Sequence, residues 1–312
     1  MNELAGGPPI LRLGVSAVNA TDDARLQRAL SELAGQPSTA IINTQANEGQ
    51  YNIDARAESD LDFICDRIRD EYSIAIDVRP PRAILLEAIR KPAEGEGKYI
   101  RWVGGSGNYG HCKLRIAPVE PGTEYEFANE IRDGSIPDKF LPAIEQGIQD
   151  AMGAGVLAGH PIRNVKTSLI GGSFHEADSN EMAFRFASSS AFKEAAVRAS
   201  PVLMEPMMAL ELDLPEGIAA ALDIEIYALR GRIERSDSVN GFRVTKVIVP
   251  LSELLSSSDS ALTVAPMEFI GYEPVQDDYS GDEGEVDVMP NKPRRPRSGG
   301  GSEMVPMDPE EG

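Results

Sequence analysis

The sequence predicts an α+β protein of three consecutive modules, and three observations carry that expectation. Residues 11–80 run strand, helix, strand, strand, helix, strand, the order of a split βαβ sandwich, and residues 204–275 come close to the same order with a weak second helix. Residues 81–203 between them alternate glycine-bearing strands with two helices. Prolines mark the borders, Pro80-Pro81 on one side and Pro201 with Pro206 on the other.

Residues 1–10 read as a flexible lead closed by Gly6-Gly-Pro-Pro9. Residues 11–18 alternate apolar and polar positions and read as a strand. Thr21 is placed to cap a helix whose first turn carries Asp22 and Asp23, favourable at the positive end of the helix. Leu26, Leu30 and Leu33 put an apolar stripe on one face, and Gly35 and Pro37 end it. Strands near 38–44 and 50–56 flank the turn Asn47-Glu-Gly49. A second helix over 59–71 has Ser59 as its cap and Leu61, Ile64, Cys65 and Ile68 as its buried face. Residues 73–78 supply the last strand. A module of this size buries only a modest core, so it is expected to dock on a neighbour.

In the middle module, strands are predicted at 83–90 and 98–103, separated by a polar turn at 91–97, then at 111–118 and from Tyr125 to Phe127, with a turn at Gly134. Phe140, Ile144, Ile148 and Met152 recur every fourth residue in a helix over 138–152 and must face a sheet. Pro142 sits in its first turn, where a missing amide proton costs little, and Gly153-Ala-Gly155 ends it. A strand at 162–170 leads into the polar segment from Gly171 to Asp178. Asp178 and Glu181 have the reciprocal spacing of a capping box, opening a helix that runs to about Ser200. Its small residues, Ala183, Ala187, Ser190 and Ala191, let a sheet approach, and Phe184, Phe186 and Phe192 are expected in the core.

The third module opens on the alternating run Met208 to Leu214. A helix follows from Pro215-Glu216 to about Ala228, with a turn at Gly231, a strand at 241–250, a short helix over 251–255 and a closing strand from Met267 to Tyr272. Residues 276–312, with 10 acids against 4 bases, read as a disordered acidic tail holding one basic patch, Arg294-Arg-Pro-Arg297.

The formal charge of -20 excludes a non-specific electrostatic grip on DNA or RNA by the whole chain. The middle module is different: residues 83–203 hold 15 acids and 13 bases, a net -2, so RNA can approach it without strong repulsion. Cys65 and Cys112 lie among apolar residues and are expected as buried free thiols in a reducing compartment, the cytoplasm. No apolar run reaches the length of a membrane span. The three histidines, His111, His160 and His175, have no cysteine or histidine at metal-ligand spacing, so neither metal nor cofactor is expected. The bend Gly104-Gly-Ser-Gly-Asn-Tyr-Gly110 lacks the Lys and Ser/Thr of a phosphate loop and feeds a strand, where such a loop needs a helix. His111 is expected to pack or hydrogen-bond. His175, in a polar turn before a helix, is either an exposed or capping side chain or a contact to a partner's phosphate or base. No nucleophile is placed for it, and no residue is assigned a catalytic role.

Four stretches resemble the last three domains of the elongation factor G family. Tyr99-Ile-Arg-Trp-Val-Gly-Gly-Ser-Gly-Asn-Tyr-Gly-His111 is similar to that family's Tyr-x-Arg-x-x-Gly-Gly-x-Gly-x-Tyr-Gly-His run. Gly134-Ser-Ile-Pro137 through Ile148 resembles the start of the first long helix of the fourth domain, and Gly172-Ser-Phe-His-Glu-Ala-Asp-Ser-Asn-Glu-Met-Ala-Phe184 its protruding loop and following helix. Pro201 to Pro206 and Arg230-Gly-Arg-Ile233 resemble parts of the fifth domain. The resemblance spans roughly residues 11–275. It implies ferredoxin-like folds for residues 11–80 and 204–275, flanking a ribosomal-protein-S5-like domain at 81–203 with a left-handed βαβ crossover. It also implies that Gly171, Gly172, Ser173 and His175 form a tip that meets RNA at the decoding centre, with Arg230 and Arg232 as secondary contacts.

The departures are as informative. The family's GTPase and β-barrel domains are missing from the 312 residues, and no Walker loop is present. Glu58-Ser-Asp-Leu-Asp-Phe63 stands where the family has Gly-Glu-Leu-His-Leu-Glu, a basic triplet is reduced to Ala228-Leu-Arg230, and Ser256-Ser-Ser-Asp-Ser260 is a shortened loop. The expectation is a monomer without GTPase chemistry that binds the ribosome, through ribosomal and transfer RNA, with its middle module. The alternatives are a protein-interaction scaffold away from the ribosome, or a module completed by a separate GTPase-like protein. A DNA or membrane partner is not expected.

Overall fold

The computed structural model describes residues 8–36, 40–47, 49–103, 106–120, 122–257 and 265–276. The expectations for residues 1–7, for the glycine bend at 104–105, for the serine-rich loop from 258 and for the tail from 277, Arg294 to Arg297 included, lie outside them. The architecture is mixed α+β with three separable sheets.

The first sheet follows from the alternation and stripes noted above. Its elements are β1 (Leu11–Ala17), α1 (Asp23–Ala34), β2 (Ala40–Asn47), β3 (Gln50–Ala55), α2 (Glu58–Asp70) and β4 (Ile76–Val78). The strand order is β2-β3-β1-β4, with antiparallel pairing throughout. Leu11, Leu13 and Val15 alternate into the core, where they meet the stripe of α1 and the buried face of α2. The helix starts differ from expectation. A single 3-10 turn, Ala20–Asp22, precedes α1, and no side chain caps either helix: Thr21 lies inside that turn, and α2 opens at Glu58 behind Ala57 rather than at Ser59.

The strand predicted at 83–90 is not part of the middle sheet. It divides into β5 (Arg82–Ala83), which pairs with β1, and β6 (Leu86–Ile89), which pairs with the first residues of β11 (Pro201–Pro215) in the third sheet. The middle sheet contains β7 (Ala93–Val103), β8 (Ser106–Pro118), β9 (Tyr125–Asn129) and β10 (Val165–Ser173), in the order β7-β8-β10-β9. Residues 93–97, predicted as turn, are strand. Only β9 and β10 run parallel, and α3 (Leu141–Ala154) makes the crossover that a parallel pair requires. Both α3 and α4 (Glu181–Arg198) enclose a core of Ile144, Ile148, Phe184 and Phe192 over Leu114 and Ile116. Phe186, expected in that core, is half-exposed and stacks on Tyr99 with ring centroids 5.0 Å apart. Phe184, Ala187 and Ala191 form the side of α4 that lies on the sheet, so the helical phase turns Phe186 outward.

The third sheet repeats the first. After β11 come α5 (Glu216–Ala228), β12 (Arg232–Val239), β13 (Phe242–Pro250), α6 (Leu251–Ser256) and β14 (Met267–Pro274), with the order β12-β13-β11-β14. The strand β12 carries almost no apolar alternation because it is an edge strand exposed on both faces, so the sequence did not mark it. The cores of the first and third modules are one continuous cluster that runs from Leu26 and Ile64 to Leu210, Val247, Leu251 and Leu254. Cys65 and Cys112 are buried free thiols, and desolvation pushes the Cys112 thiol up to about 12.

Candidate nucleic-acid interface at one end of the middle module

The turn from Phe174 to Asn180 leaves β10 and enters α4, and hydrogen bonds hold it closed. The His175 amide donates to Ser179 Oγ at 2.8 Å, and the Ser179 amide donates back to the His175 carbonyl at 2.9 Å. Asn180, rather than Asp178, caps α4: its Oδ1 accepts from the Ala183 amide at 2.9 Å. Asn is as strong a cap as Asp, and the extended backbone at Asn180 puts its side chain where the orphan amides are. Asp178 instead lies 3.0 Å from His175 Nδ1.

The turn is tied to the β7–β8 hairpin. The Tyr109 amide donates to the Asp178 carbonyl at 2.8 Å, and Asn180 Nδ2 donates to Asn108 Oδ1 at 2.7 Å. One end of the module therefore presents both segments together. His175 stands with 61% of its side chain in solvent, and Phe174 and Met182 are exposed beside it. A shallow open groove of about 550 Å³ runs between Asn108, Lys139, Phe140, Asn180, Glu181 and Met182.

The other expected tip residues lie in the last part of a strand, partly exposed. Gly171, Gly172 and Ser173 belong to β10 and pair with Lys113, Cys112 and His111 of β8 across a bulge after Leu169. A side chain at Gly172 would meet the His111 carbonyl at 2.2 Å, so this position is filled by backbone packing. Ser173 Oγ lies 2.7 Å from the Tyr109 hydroxyl and 2.8 Å from His111 Nδ1, and His111 Nε2 lies 2.9 Å from Glu96 Oε1. The Lys98 ammonium, 3.0 Å from Glu96, is the main cause that lowers the Glu96 carboxyl to about 2; desolvation opposes it, and Lys113 and His111 reinforce it. An ionised carboxylate only accepts, so His111 Nε2 carries the proton and donates to Glu96. Nδ1 is then the acceptor for Ser173, whose oxygen in turn accepts from Tyr109. Burial, with Lys98 and Lys113, lowers the His111 imidazole against the opposing pull of Glu96, which favours the neutral ring. The chain has the order that activates a hydroxyl, but Tyr109 donates into the same oxygen. It acts as a brace that fixes the end of β10, and with it the turn.

Arg230 and Arg232 are engaged within the third module. Arg230 donates to both oxygens of the buried Glu205 and, at 2.7 Å, to Glu253. These hydrogen bonds raise its pKa despite partial burial. Arg232 pairs with Glu273 at 2.6 and 2.7 Å and remains half-exposed. Sequence reasoning missed Asn108 and Asn180. The signal existed for Asn180, an Asn three residues before Ala183 at a helix start. Asn108 had none, because its partner is 72 residues away. Among the described residues there is no cluster of three metal-ligating side chains, and no helix is long and apolar enough to cross a membrane.

The family described as elongation factor G, domain IV, matches residues 81–200. A crystal structure of a protein from Thermus thermophilus is similar at 33% identity and a TM-score of 0.63, over 88% of this chain and 42% of that one. The chain thus spans about two fifths of the length of that protein. Residues 81–200, which carry both the hairpin and the His175 turn, are an elongation factor G domain IV-like region.

Proposed function

We propose that the chain is a ribosome-associated binding protein, without GTPase chemistry of its own, that touches RNA with the end of its middle module. The observation that carries this is the coincidence of the domain IV-like region with an exposed, braced turn bearing His175. In this proposal Gly171, Gly172 and Ser173 set the position of His175 and make no contact themselves. The middle module is S5-like with a left-handed crossover around α3. The outer modules are ferredoxin-like, supported by their shared element order and shared strand order. Location in the cytoplasm follows from the partner.

Co-sedimentation of the intact chain with purified ribosomes over a salt series tests this. The expected result is salt-sensitive binding that His175→Ala weakens by roughly tenfold, the equivalent of about 1.4 kcal/mol. No sedimentation at low salt sinks the proposal.

A second reading, an interaction scaffold or a partner for a separate GTPase-like protein, is favoured by α5. Ile224, 74% exposed, and Tyr227 stand on an outward helix face shared with Ala221 and Ala228, without a charged side chain among them. Under that reading Ile224→Glu abolishes partner binding while His175→Ala leaves it intact.

A further inference from the structure

The strand β7 is an outer edge of the middle sheet, and its two halves differ. Side chains of α4 cover the first half: the Glu96 amide donates to Glu194 Oε2 at 2.8 Å, and Arg198 donates to the Glu94 carbonyl at 3.2 Å. These bonds fix the phase of the strand. In an antiparallel ladder, alternate residues turn both backbone groups away from the neighbouring strand. The register with β8 runs without a shift from Ala93 to Val103, so Lys98, Ile100 and Trp102 share the phase of Glu94 and Glu96. Their amides and carbonyls point outward too, and among the described residues nothing meets them. An uncovered edge is a template for another strand.

This segment is complementary to itself. Laid antiparallel on a second copy about a two-fold axis at Ile100, Lys98 faces Trp102, Tyr99 faces Arg101, and Ile100 faces Ile100. Every cation meets a ring. The side chains stand where this pairing needs them. Gly95 and Gly97 lie under α4 and Tyr99 stacks on Phe186, so odd positions face the helix. Ile100, 62% exposed, and Trp102, 71% exposed, face the other side with Lys98. Arg101 is exposed and makes no ion pair among the described residues. Opposite Trp102 on β8 is Gly107, with the Asp178 carboxylate over it. The surroundings of the ring are therefore negative, which suits an incoming ammonium and not a phosphate. The axis also explains the covered half. A second copy's strand ends at Val103, opposite Gly97, and Glu194 and Arg198 take over from there. Copies meeting here repel little, because residues 83–203 carry only -2 of the chain's -20.

We infer that the open half of β7 is a self-association surface, on which two copies of the chain pair residues 98–102 antiparallel and join their middle sheets into one. This surface is separate from the RNA-contact reading, and either can fail alone.

Sedimentation velocity of the full chain over a concentration series measures the mass. Trp102 is the one tryptophan, so intrinsic emission follows the same contact. The mass is expected to rise from that of one chain toward that of two, with a blue shift of the emission in step. Ile100→Pro removes an outward amide and leaves the ladder to β8 intact, and Trp102→Lys puts an ammonium opposite Lys98. Each weakens the dimer by roughly tenfold or more, because a two-fold axis counts every lost contact twice. Adding Lys98→Trp to Trp102→Lys exchanges the two partners and restores the dimer. A native chain that keeps the mass of one copy at every concentration overturns the inference. So does a dimer that survives both Ile100→Pro and Trp102→Lys, or a double variant no better than Trp102→Lys alone. Dimerisation of the native chain without an emission shift overturns it as well, whether or not the variants fold.

Discussion

Glu87 is fully buried, and its carboxylate is held by four backbone amides of one loop. Val156 and Leu157 donate to Oε2 at 2.7 and 3.0 Å, and Ala158 and His160 donate to Oε1 at 2.8 and 3.1 Å. Burial pushes the carboxyl up, but the four amides together outweigh it and hold it below its ordinary 4.5. A carboxyl lowered on folding stabilises fully above its unfolded pKa, and that contribution is lost as pH falls through the folded value. Urea denaturation between pH 6 and pH 3 should therefore show a loss of stability below about 4.5 that Glu87→Gln removes. The same variant should cost about 3 kcal/mol at pH 7, since an amide nitrogen would face backbone donors. His111 works in a higher window. Its imidazole is lowered from 6.5 by burial, so stability is full above that pH and declines as pH falls below it; His111→Gln should flatten that decline. Neither device was legible in the sequence. Glu87 occupies a strand whose neighbours read as ordinary alternation, and its partners lie 69 to 73 residues downstream. The His175 turn was legible because its polar residues, its glycines and the helix start are contiguous.

At the scale of elements, the contact of α4 with β7 and β8 decides how the middle module packs. Gly95, Gly97 and Gly110 lie under Ala191 and Ala195, under Ala187 and Ala191, and under Ala183. A methyl at Gly97 would sit 2.0 Å from the Ala187 carbonyl and 2.6 Å from the Ala191 amide, both backbone atoms that cannot move aside. Gly97→Ala should cost about 3 kcal/mol by thermal denaturation. Gly153→Ala, in the last turn of α3 with nothing within 4 Å of the added methyl, should instead stabilise by roughly 0.5–1 kcal/mol. Equal effects at the two sites would show that α4 does not rest on the sheet as described. The small face of α4 was plain in the sequence. Its counterpart was not: Glu94-Gly-Glu-Gly97 has the composition of a turn, and only the approaching helix makes those glycines strand residues.

At the scale of the whole molecule, the first and third modules are joined by a common apolar cluster, whereas the middle module has its own. Leu251, nearly fully buried, lies in the part contributed by α6, which packs against β5. Leu251→Ala should cost about 3 kcal/mol. Hydrogen exchange should then accelerate in α1 and α2 of the first module as well as in the third, with β8 and β10 unaffected. Acceleration confined to residues 201–256 would contradict a shared core. The modest size of residues 11–80 predicted that they dock, but not on which neighbour, because that partner begins more than 120 residues later in the chain.

The pairing of Leu86 to Ile89 with Pro201 to Met204 has a topological consequence. The chain leaves for the middle module and returns from it along two adjacent antiparallel strands, fastened again where the Arg90 and Lys91 amides meet the Ala199 carbonyl. The domain IV-like region is therefore a cassette on a two-stranded stalk. Its two ends lie close enough for a short hairpin turn to bridge them, but Glu87 of the stalk is held by the cassette's loop at 156–160, so a graft at this point must carry Leu86 to Ile89 along or replace Glu87.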